Sequence, residues 1–265
     1  MVLGYRDIGL AALLLLFNAG LSFALSLGIG RRLLIAGARM VVQLTLVGLV
    51  LKALFALASP LFTGFAALVM VLFAGREAMA RQERRFTGFW AYGLGTGSMM
   101  AAGTIVTVFA LTTQINPDPW YDPRYAIPIL GMILGNTMNG VSLGLDRLVS
   151  GAVQQRPGIE ARLMLGAEAR EAMRGVIRDA MRAGLIPTVN GMAAAGLVSL
   201  PGMMTGQILA GVEPVEAVKY QILIMFLIAG GTGLGVYVAV MSGAWRLTDP
   251  RHRLRLDRLA AKTKD

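Results

Sequence analysis

In this chain of 265 residues, 55% of the residues are hydrophobic, only 15% are charged and the mean hydropathy is +0.63, which excludes an ordinary soluble domain. Cysteine is absent, so disulfides, thiolate metal sites and cysteine nucleophiles are excluded. The net charge of +10 is compatible with a nucleic-acid partner, but the distribution of Lys and Arg along the chain argues against that class.

Repeated apolar runs of about 20 residues predict an all-α, polytopic helical membrane protein with about seven transmembrane helices. A signal peptide is the alternative for the first run, which is too long for one and has no basic leader. The third run is short, and we expect its helix to continue as a charged extension. The predicted spans are residues 8–29, 33–55, 60–75, 89–113, 127–148, 185–209 and 218–242.

The basic residues predict how these spans are oriented. With the N-terminus outside, 21 of the 25 Lys and Arg residues fall in inside segments, and only Arg6, Lys52, Arg124 and Lys219 fall outside. This asymmetry predicts an outside N-terminus and an inside C-terminus, with a basic cytoplasmic tail over residues 246–265. The positive charge then orients the protein in its membrane, and no nucleic acid is needed to explain it.

One long polar segment, residues 154–184, separates the fifth and sixth spans. Its apolar residues recur near helical spacing, which predicts a cytoplasmic amphipathic helix, or two short helices broken near Gly166. Glu160, Ala161 and Gly166, with Val176 ten residues after the glycine, resemble the EAA loop of bacterial ABC transporter permeases. Arg162 departs from that pattern, where alanine is usual. A merely solvated amphipathic loop is the alternative.

Prolines interrupt the sixth predicted span. Pro187 and the pair Pro201-Gly202 weaken the helical hydrogen bonding, and irregular backbone survives in a membrane only against protein or a watery cavity. These three residues are therefore candidates for a gate or hinge, and a packing kink is the alternative. Met203 and Met204 follow directly and offer sulfur to a metal, although methionine is more often a filler of packing gaps.

Uncharged polar side chains at membrane depth need partners there, so they line either a helix interface or a translocation pathway. The pathway candidates are Arg39, Gln43, Asn136, Asn139, Asn190, Met203, Met204 and Gln207. Four glycines of the fifth span, spaced four or five residues apart, predict close helix packing and a possible dimer seam; they are Gly131, Gly135, Gly140 and Gly144.

The sequence contains no Gly-x-x-x-x-Gly-Lys-Ser/Thr motif, and the glycine-rich run at residues 231–235 lies inside a predicted span and follows no strand. We therefore expect no ATPase site and no enzymatic activity in this chain. If transport is driven by ATP, its energy must come from another subunit.

Two long runs resemble the FetB/YbbM family of ABC transporter permeases: PILGMILGNTMNGVSLGLDRL at residues 128–148 and IPTVNGMAAAGLVSLPGMMTGQILAGVEPVEAVKYQI at residues 186–222. The resemblance extends over the chain and includes RMVVQLTLVG at residues 39–48. It implies a single permease domain over residues 1–265, in a bacterial inner membrane, that exports iron or an iron chelate. Plant relatives in that family are linked to aluminium tolerance.

The resemblance also implies the partners. A homodimer is expected to bind two copies of an ABC ATPase subunit, which carry the ATP and Mg, while this chain carries no cofactor and no assigned metal site. The ATPase-coupling residues are expected to be Glu160, Ala161, Leu163, Gly166, Ala167 and Val176. Iron prefers hard oxygen ligands, and no carboxylate lies deep in a predicted span. An ABC importer permease for a small organic substrate therefore stays open. The broken sixth span also keeps a secondary transporter or a membrane scaffold without an ATPase open, although no buried carboxylate is there to couple protons.

Overall fold

A computed structural model describes residues 4–57 and 59–260, and within them the chain is helical with no β-strand. The helices form two compact units, Met1–Ala58 and Ser59–Asp265. The first unit contains α1 (Tyr5–Ala24) and α2 (Gly30–Leu57). The second contains α3 (Pro60–Ala80), α4 (Trp90–Phe109), α5 (Pro123–Gln154), α6 (Arg156–Met164), α7 (Ala169–Ala172), α8 (Arg174–Ala194), α9 (Gly202–Leu209) and α10 (Pro214–Arg246).

In the first unit, α1 and α2 pack against each other where α2 carries glycine. A Cβ on Gly37 would lie only 2.5 Å from Leu15 Cδ2, so the side chain of α1 occupies the space that the glycine leaves open. The outward faces of both helices carry exposed leucine, valine and phenylalanine side chains. Such surfaces are expected of helices that face lipid.

Six helices among the described residues are long and apolar enough to cross a membrane: Arg6–Ala24, Gly30–Leu57, Pro60–Ala80, Trp90–Ile115, Pro123–Gln154 and Pro214–Arg246. They correspond to six of the predicted spans. The third helix continues to Ala80 through Arg76 and Glu77, so its predicted charged extension is present. The fourth ends in a wider π-helical turn, Ala110–Ile115.

The structure differs from the sequence-based prediction at residues 185–209, which do not form one helix. Helix α8 ends at Ala194, the chain turns through Gly196 with φ +87°, and α9 begins only at Gly202 and is 8 residues long. The predicted break at Pro201-Gly202 is thus the far end of a longer non-helical stretch. Pro187 lies inside α8 without ending it, because the helix continues for two more turns.

Helix α5 is the centre of the second unit, and glycines set how closely its neighbours approach. Val176 of α8 lies beside Gly151, and Gly184 of α8 lies beside Gly140, so α8 runs antiparallel to α5. On α10, Gly231 lies beside Ile133 and Gly243 beside Leu148, so α10 runs parallel to α5. Of the four predicted packing glycines, Gly140 and Gly144 are buried within the chain, Gly131 lies near Met70, and Gly135 faces open space.

The end of the second unit where α3, α5 and α10 finish and α8 begins carries most of the charge, and we call it the basic end. Arg81, after α3, donates a hydrogen bond to Asn139 Oδ1 of α5. The backbone N–H of Glu83 donates to Asp146 Oδ1 at 3.1 Å. These contacts fix the segment after α3 against α5.

The C-terminal segment at the basic end is folded, which its basic composition did not predict. Leu247 is fully buried, and the N–H of Ala260 donates to the carbonyl of Arg85 at 2.8 Å. The N–H of Thr87 donates to the carbonyl of Arg258 at 2.9 Å, and Phe86 lies in the core. Residues 247–260 therefore cover the segment between α3 and α4, and we call them the C-terminal strap.

Asp249 holds the first turn of this strap. It accepts hydrogen bonds from the backbone N–H groups of Arg253, at 2.9 Å, and Arg251, at 3.0 Å, and from Arg253 Nε at 2.9 Å. These bonds, chiefly that from the Arg253 backbone, lower the pKa of the Asp249 carboxyl from 3.8 to about 2.

Replacing Asp249 by Asn is expected to loosen this strap and to raise the rate of trypsin cleavage after Arg251 and Arg253 several-fold at neutral pH. In the unchanged protein the pKa of Asp249 in the folded state lies below the unfolded value of 3.8. The ionised carboxylate therefore stabilises the strap fully above about pH 4, and this stabilisation is lost as the pH falls toward 2. Pepsin digestion at pH 4 and pH 2 checks the loss in acid, because the strap of the unchanged protein should be cleaved faster at pH 2. Equal trypsin rates for the variant and the unchanged protein would show that Asp249 does not hold the strap.

Candidate functional site

The polar segment after α5 forms a helical hairpin rather than one helix. Helix α6 is anchored by Ile159, which is buried, and it ends just before Gly166. Gly166 has φ +91°, a conformation that side chains with a Cβ rarely adopt, and its N–H donates to the carbonyl of Leu163 at 3.0 Å. The predicted break near Gly166 is therefore present, and its cause is the glycine.

Two large apolar side chains project from the end of this hairpin. Met164 is 82% exposed and Leu165 is 88% exposed, directly before Gly166. Sequence reasoning did not single them out, although two adjacent apolar residues before a glycine in a charged segment were a usable signal. We call Met164, Leu165 and Gly166 the tip.

The base of the tip is held by contacts on both sides. The Arg162 guanidinium donates to the carbonyl of Ala172 at 3.4 Å, which ties α6 to α7. The N–H of Ala169 donates to Nδ1 of His252 at 3.1 Å, which ties α7 to the C-terminal strap. The tip is therefore an exposed apolar end on a supported base.

The predicted coupling residues lie on different surfaces of this hairpin. Glu160 forms an ion pair with Arg156 at 2.8 Å, and Ala161 is exposed. Leu163 packs against the core and Val176 belongs to it, while Ala167 lines a small polar groove with Arg162. Ala161 and Gly166 are exposed, Glu160, Leu163 and Ala167 are half-buried, and Val176 is buried; their coupling role stays a prediction.

Helix α8 connects the hairpin to the centre of the unit. It runs without interruption from Arg174 to Ala194, about 30 Å at 1.5 Å per residue. At Gly184, a Cβ would lie 2.8 Å from the carbonyl oxygen of Gly140 and 2.8 Å from Val236 Cγ1. Three helices therefore meet at this point.

Two of the amides proposed for the pathway are placed by α5. Asn136 is exposed and donates to the carbonyl of Met132 in its own helix at 2.8 Å, so its side-chain oxygen stays available. Asn139 is exposed and accepts the hydrogen bond from Arg81. Asn190 is exposed on α8, beyond Pro187. Asn139 has an identified structural partner, whereas Asn136 presents an acceptor outward.

The other polar candidates of the second unit lie on α9. Met203 and Met204 are half-buried, and Met203 packs on the core formed with α10. Gln207 is half-buried, and its side-chain oxygen is enclosed without a hydrogen-bond partner in the described structure, as is that of Gln221 on α10. An enclosed amide oxygen without a partner costs free energy, so these two amides are not explained by hydrogen bonding within the described structure.

The remaining pathway candidates, Arg39 and Gln43, lie in the first unit, one turn apart on α2, and both are exposed. At the predicted gate, Pro201 is the residue before α9 and Gly202 is its first residue, with open space around it. Across the described residues, no group of three or more His, Asp or Glu side chains is placed to hold a metal ion.

Comparisons with known proteins place the chain in one family of membrane proteins. Residues 5–247 match the sequence profile of a family described as uncharacterised, UPF0014. The chain is 34% identical to the probable iron export permease protein FetB of Escherichia coli over 97% of both proteins. No solved structure matches the chain.

Two further relatives extend the range of organisms. The chain is 45% identical to the UPF0014 membrane protein slr1647 of Synechocystis, over 74% of this chain and 75% of that protein. It is 33% identical to protein ALUMINUM SENSITIVE 3 of Arabidopsis thaliana, over 83% of this chain and 78% of that protein. The six apolar helices agree with these matches and confirm a multi-pass membrane protein.

Proposed function

Because this chain belongs to the UPF0014 family of membrane proteins, we propose that it is the permease subunit of an ATP-driven exporter whose ATPase is a separate subunit. The family matches confirm the resemblance indicated by residues 128–148 and 186–222. The observation that carries the proposal is the tip, where Met164 and Leu165 are exposed on a supported hairpin.

The tip has the chemistry of a docking element. A soluble domain rarely exposes two adjacent large apolar side chains at a tight turn unless a partner covers them, and binding energy at interfaces concentrates in such anchors. Arg174, which is exposed, lines a groove together with Ala167 directly after the tip, and it favours a partner with acidic groups at the rim of its own groove.

Docking at the tip is mechanically connected to the membrane helices. A partner that moves the tip moves α8, because α7 joins α8 directly at Met173, which is buried. The crossing at Gly184 and Gly140 transmits that movement to α5 and α10, since closely packed helices shift as rigid bodies. ATP binding on the partner would thereby change the arrangement of the pathway.

We place the basic end in the cytoplasm, since most Lys and Arg residues lie there. Helices α8 and α9 then make a seventh, discontinuous crossing, which begins at the basic end beside α5 and leads to the start of α10 at the opposite end. Broken helices of this kind form substrate sites in transporters because their free backbone groups line a cavity. The stretch from Ala195 to Gly202 is the gate in this proposal.

The cargo that we propose is iron or a small iron chelate, on the strength of the relative named as a probable iron export permease. The exposed amide oxygen of Asn136 would contact a hydrated or chelated ion, and the enclosed oxygen of Gln207 would do so once the gate opens; neither contact needs a carboxylate cage. Two copies of the chain with two ATPase subunits are the proposed assembly in a bacterial inner membrane. The discontinuous α8–α9 element also favours one rival, a secondary transporter driven by an ion gradient.

Uptake of radioactive iron into inside-out membrane vesicles separates these functions. Vesicles that contain the chain and a co-produced ATPase are expected to accumulate iron only when ATP is added, and collapse of the proton gradient should leave uptake unchanged. Uptake that needs the gradient but not ATP would establish the secondary transporter. An organic substrate would be indicated if ATP were consumed without iron accumulation.

Replacing Gln207 by Leu is expected to lower iron flux about tenfold, because one amide contact on the pathway is lost. The same change should leave the midpoint of thermal unfolding unchanged or raise it, since it removes an enclosed oxygen that has no partner. Flux and thermal unfolding are measured on the same preparation, with Gln114→Leu as an exposed control. Full iron flux in the Gln207 variant would show that Gln207 has a packing role and does not contact the cargo.

A further inference from the structure

A large open groove runs along α8 and α10 at the basic end. Its volume is about 1010 Å³, and its wall passes from charged side chains to apolar ones along α8. The groove lies within the second unit and is separate from the tip. Neither α9 nor any amide of the proposed pathway lines it.

The charged part of the groove is a row of arginines. Arg174, Arg178 and Arg182 are four residues apart on α8, so their side chains project from one helix face, and Arg170 of α7 joins them. In the described structure none of these four guanidinium groups forms an ion pair or a hydrogen bond with the protein. Such a row repels itself unless an anion lies along it.

The apolar part continues the same wall one turn further along the helix. Ile186 and Val189 are each more than half exposed, and Tyr237 and Met241 of α10 face the groove from the other side. Tyrosine with an apolar body and an exposed hydroxyl is typical of the membrane–water interface. The change from arginine to apolar side chains therefore coincides with the expected change from headgroups to acyl chains.

We propose that this groove binds an anionic phospholipid, with its phosphate between Arg178 and Arg182 and one acyl chain along Ile186 and Val189. Guanidinium groups match phosphate oxygens in geometry, and basic pockets between helices at the cytoplasmic surface hold acidic headgroups. Glu168 and Glu171 line the far end of the groove, so two carboxylates stand against four arginines and the groove keeps a positive balance.

A second copy of the chain is a poorer occupant. A two-fold contact through this groove would place the same arginine row of each copy against the other, at a cost from like charges. A phospholipid fits both halves of the groove with one molecule, because its head is anionic and its tails are apolar. The proposal needs no ATPase, so it can fail while the proposed transport function holds, and the reverse.

The test uses the full chain, purified in detergent and stripped of lipid, with native mass spectrometry as the readout. Phosphatidylglycerol and phosphatidylcholine with the same acyl chains are the probes. We expect phosphatidylglycerol to bind at least tenfold more tightly. The variant Arg178→Gln with Arg182→Gln should lower phosphatidylglycerol affinity about thirtyfold and leave phosphatidylcholine affinity nearly unchanged. Both arginines are exposed and without protein partners, so folding should be retained.

The matched control, Arg147→Gln with Arg251→Gln, removes the same charge from exposed positions of the second unit that do not line the groove, and it should keep the preference. Val189→Trp fills the apolar half and should weaken both lipids. An equal loss of phosphatidylglycerol affinity in the control and groove variants would overturn the proposal, since general attraction between the positive protein and the anionic lipid would explain it. Displacement by millimolar inorganic phosphate would show an anion site without acyl-chain binding. A groove variant that changes from dimer to monomer would identify a seam between copies. Each of these results contradicts the proposal.

Discussion

The variant Gly184→Leu is expected to disrupt the packing of α8 against α5 and α10, with a loss of about 3 kcal/mol in the free energy of unfolding. A Cβ at this position would lie 2.8 Å from the carbonyl oxygen of Gly140, which is backbone and cannot rotate away. It would also lie 2.8 Å from Val236 Cγ1, so the new side chain meets α5 and α10 together. The measurement is thermal unfolding of the detergent-solubilised protein, followed by size-exclusion chromatography.

Gly191→Leu is the matched control, because Gly191 is on the same helix and a Cβ there meets nothing within 4 Å. That control should unfold at or above the temperature of the unchanged protein, since leucine has the higher helix propensity. A Gly184 variant that elutes as a single peak with an unchanged midpoint would show that the three helices do not depend on this crossing.

The double variant Met164→Asp with Leu165→Asp is expected to abolish recovery of the ATPase subunit, with a loss of affinity of at least about a hundredfold. The two side chains are the most exposed apolar groups of the hairpin, and carboxylates cannot replace them in an apolar groove. Because both side chains are largely exposed, the membrane helices should fold as before. Co-purification of the ATPase with a tagged permease measures the effect.

The conservative exchange Met164→Leu with Leu165→Met keeps the apolar surface and should restore the normal yield of ATPase. Thermal unfolding of the permease alone should be the same for all three proteins. Normal ATPase recovery with the aspartate variant would show that the tip is not part of the docking surface.

Hydropathy predicted most of this fold because lipid imposes one rule on every span. A run of about 20 apolar residues must be helical in hydrocarbon, and six of the predicted runs are long helices. The same rule failed at residues 185–209, since hydropathy does not report backbone direction. The helix ends at Ala194 and the chain turns at Gly196, with φ +87°, before it reaches Pro201.

The fold of the C-terminal strap could not be predicted from its amino-acid composition. Seven of the residues after Trp245 are basic, and that charge masks Leu247, Leu254, Leu256 and Leu259, which pack on the core. Leu259, for example, pairs with Phe86, which is more than 150 residues away in sequence. Contacts of such separation depend on the assembled helices and leave no local pattern.

The docking segment was predicted in outline and not in detail. Gly166 was recognisable because a tight turn between helices needs a residue without a Cβ. A pattern match cannot tell which side of a helix faces the core, so Val176, which is buried, was grouped with Ala161, which is exposed. The exposure of Met164 and Leu165 follows from how α6 and α8 pack, which only the three-dimensional arrangement reveals.

A photo-crosslink from the tip to the ATPase tests the central proposal most directly. Benzoylphenylalanine incorporated in place of Leu165 is expected to form a covalent adduct with the ATPase subunit on illumination of membranes that contain both proteins. Leu197, 93% exposed at the other end of α8 against 88% for Leu165, is the matched position and should give lipid adducts only. Adducts to the ATPase from Leu197 and none from Leu165 would contradict docking at the tip.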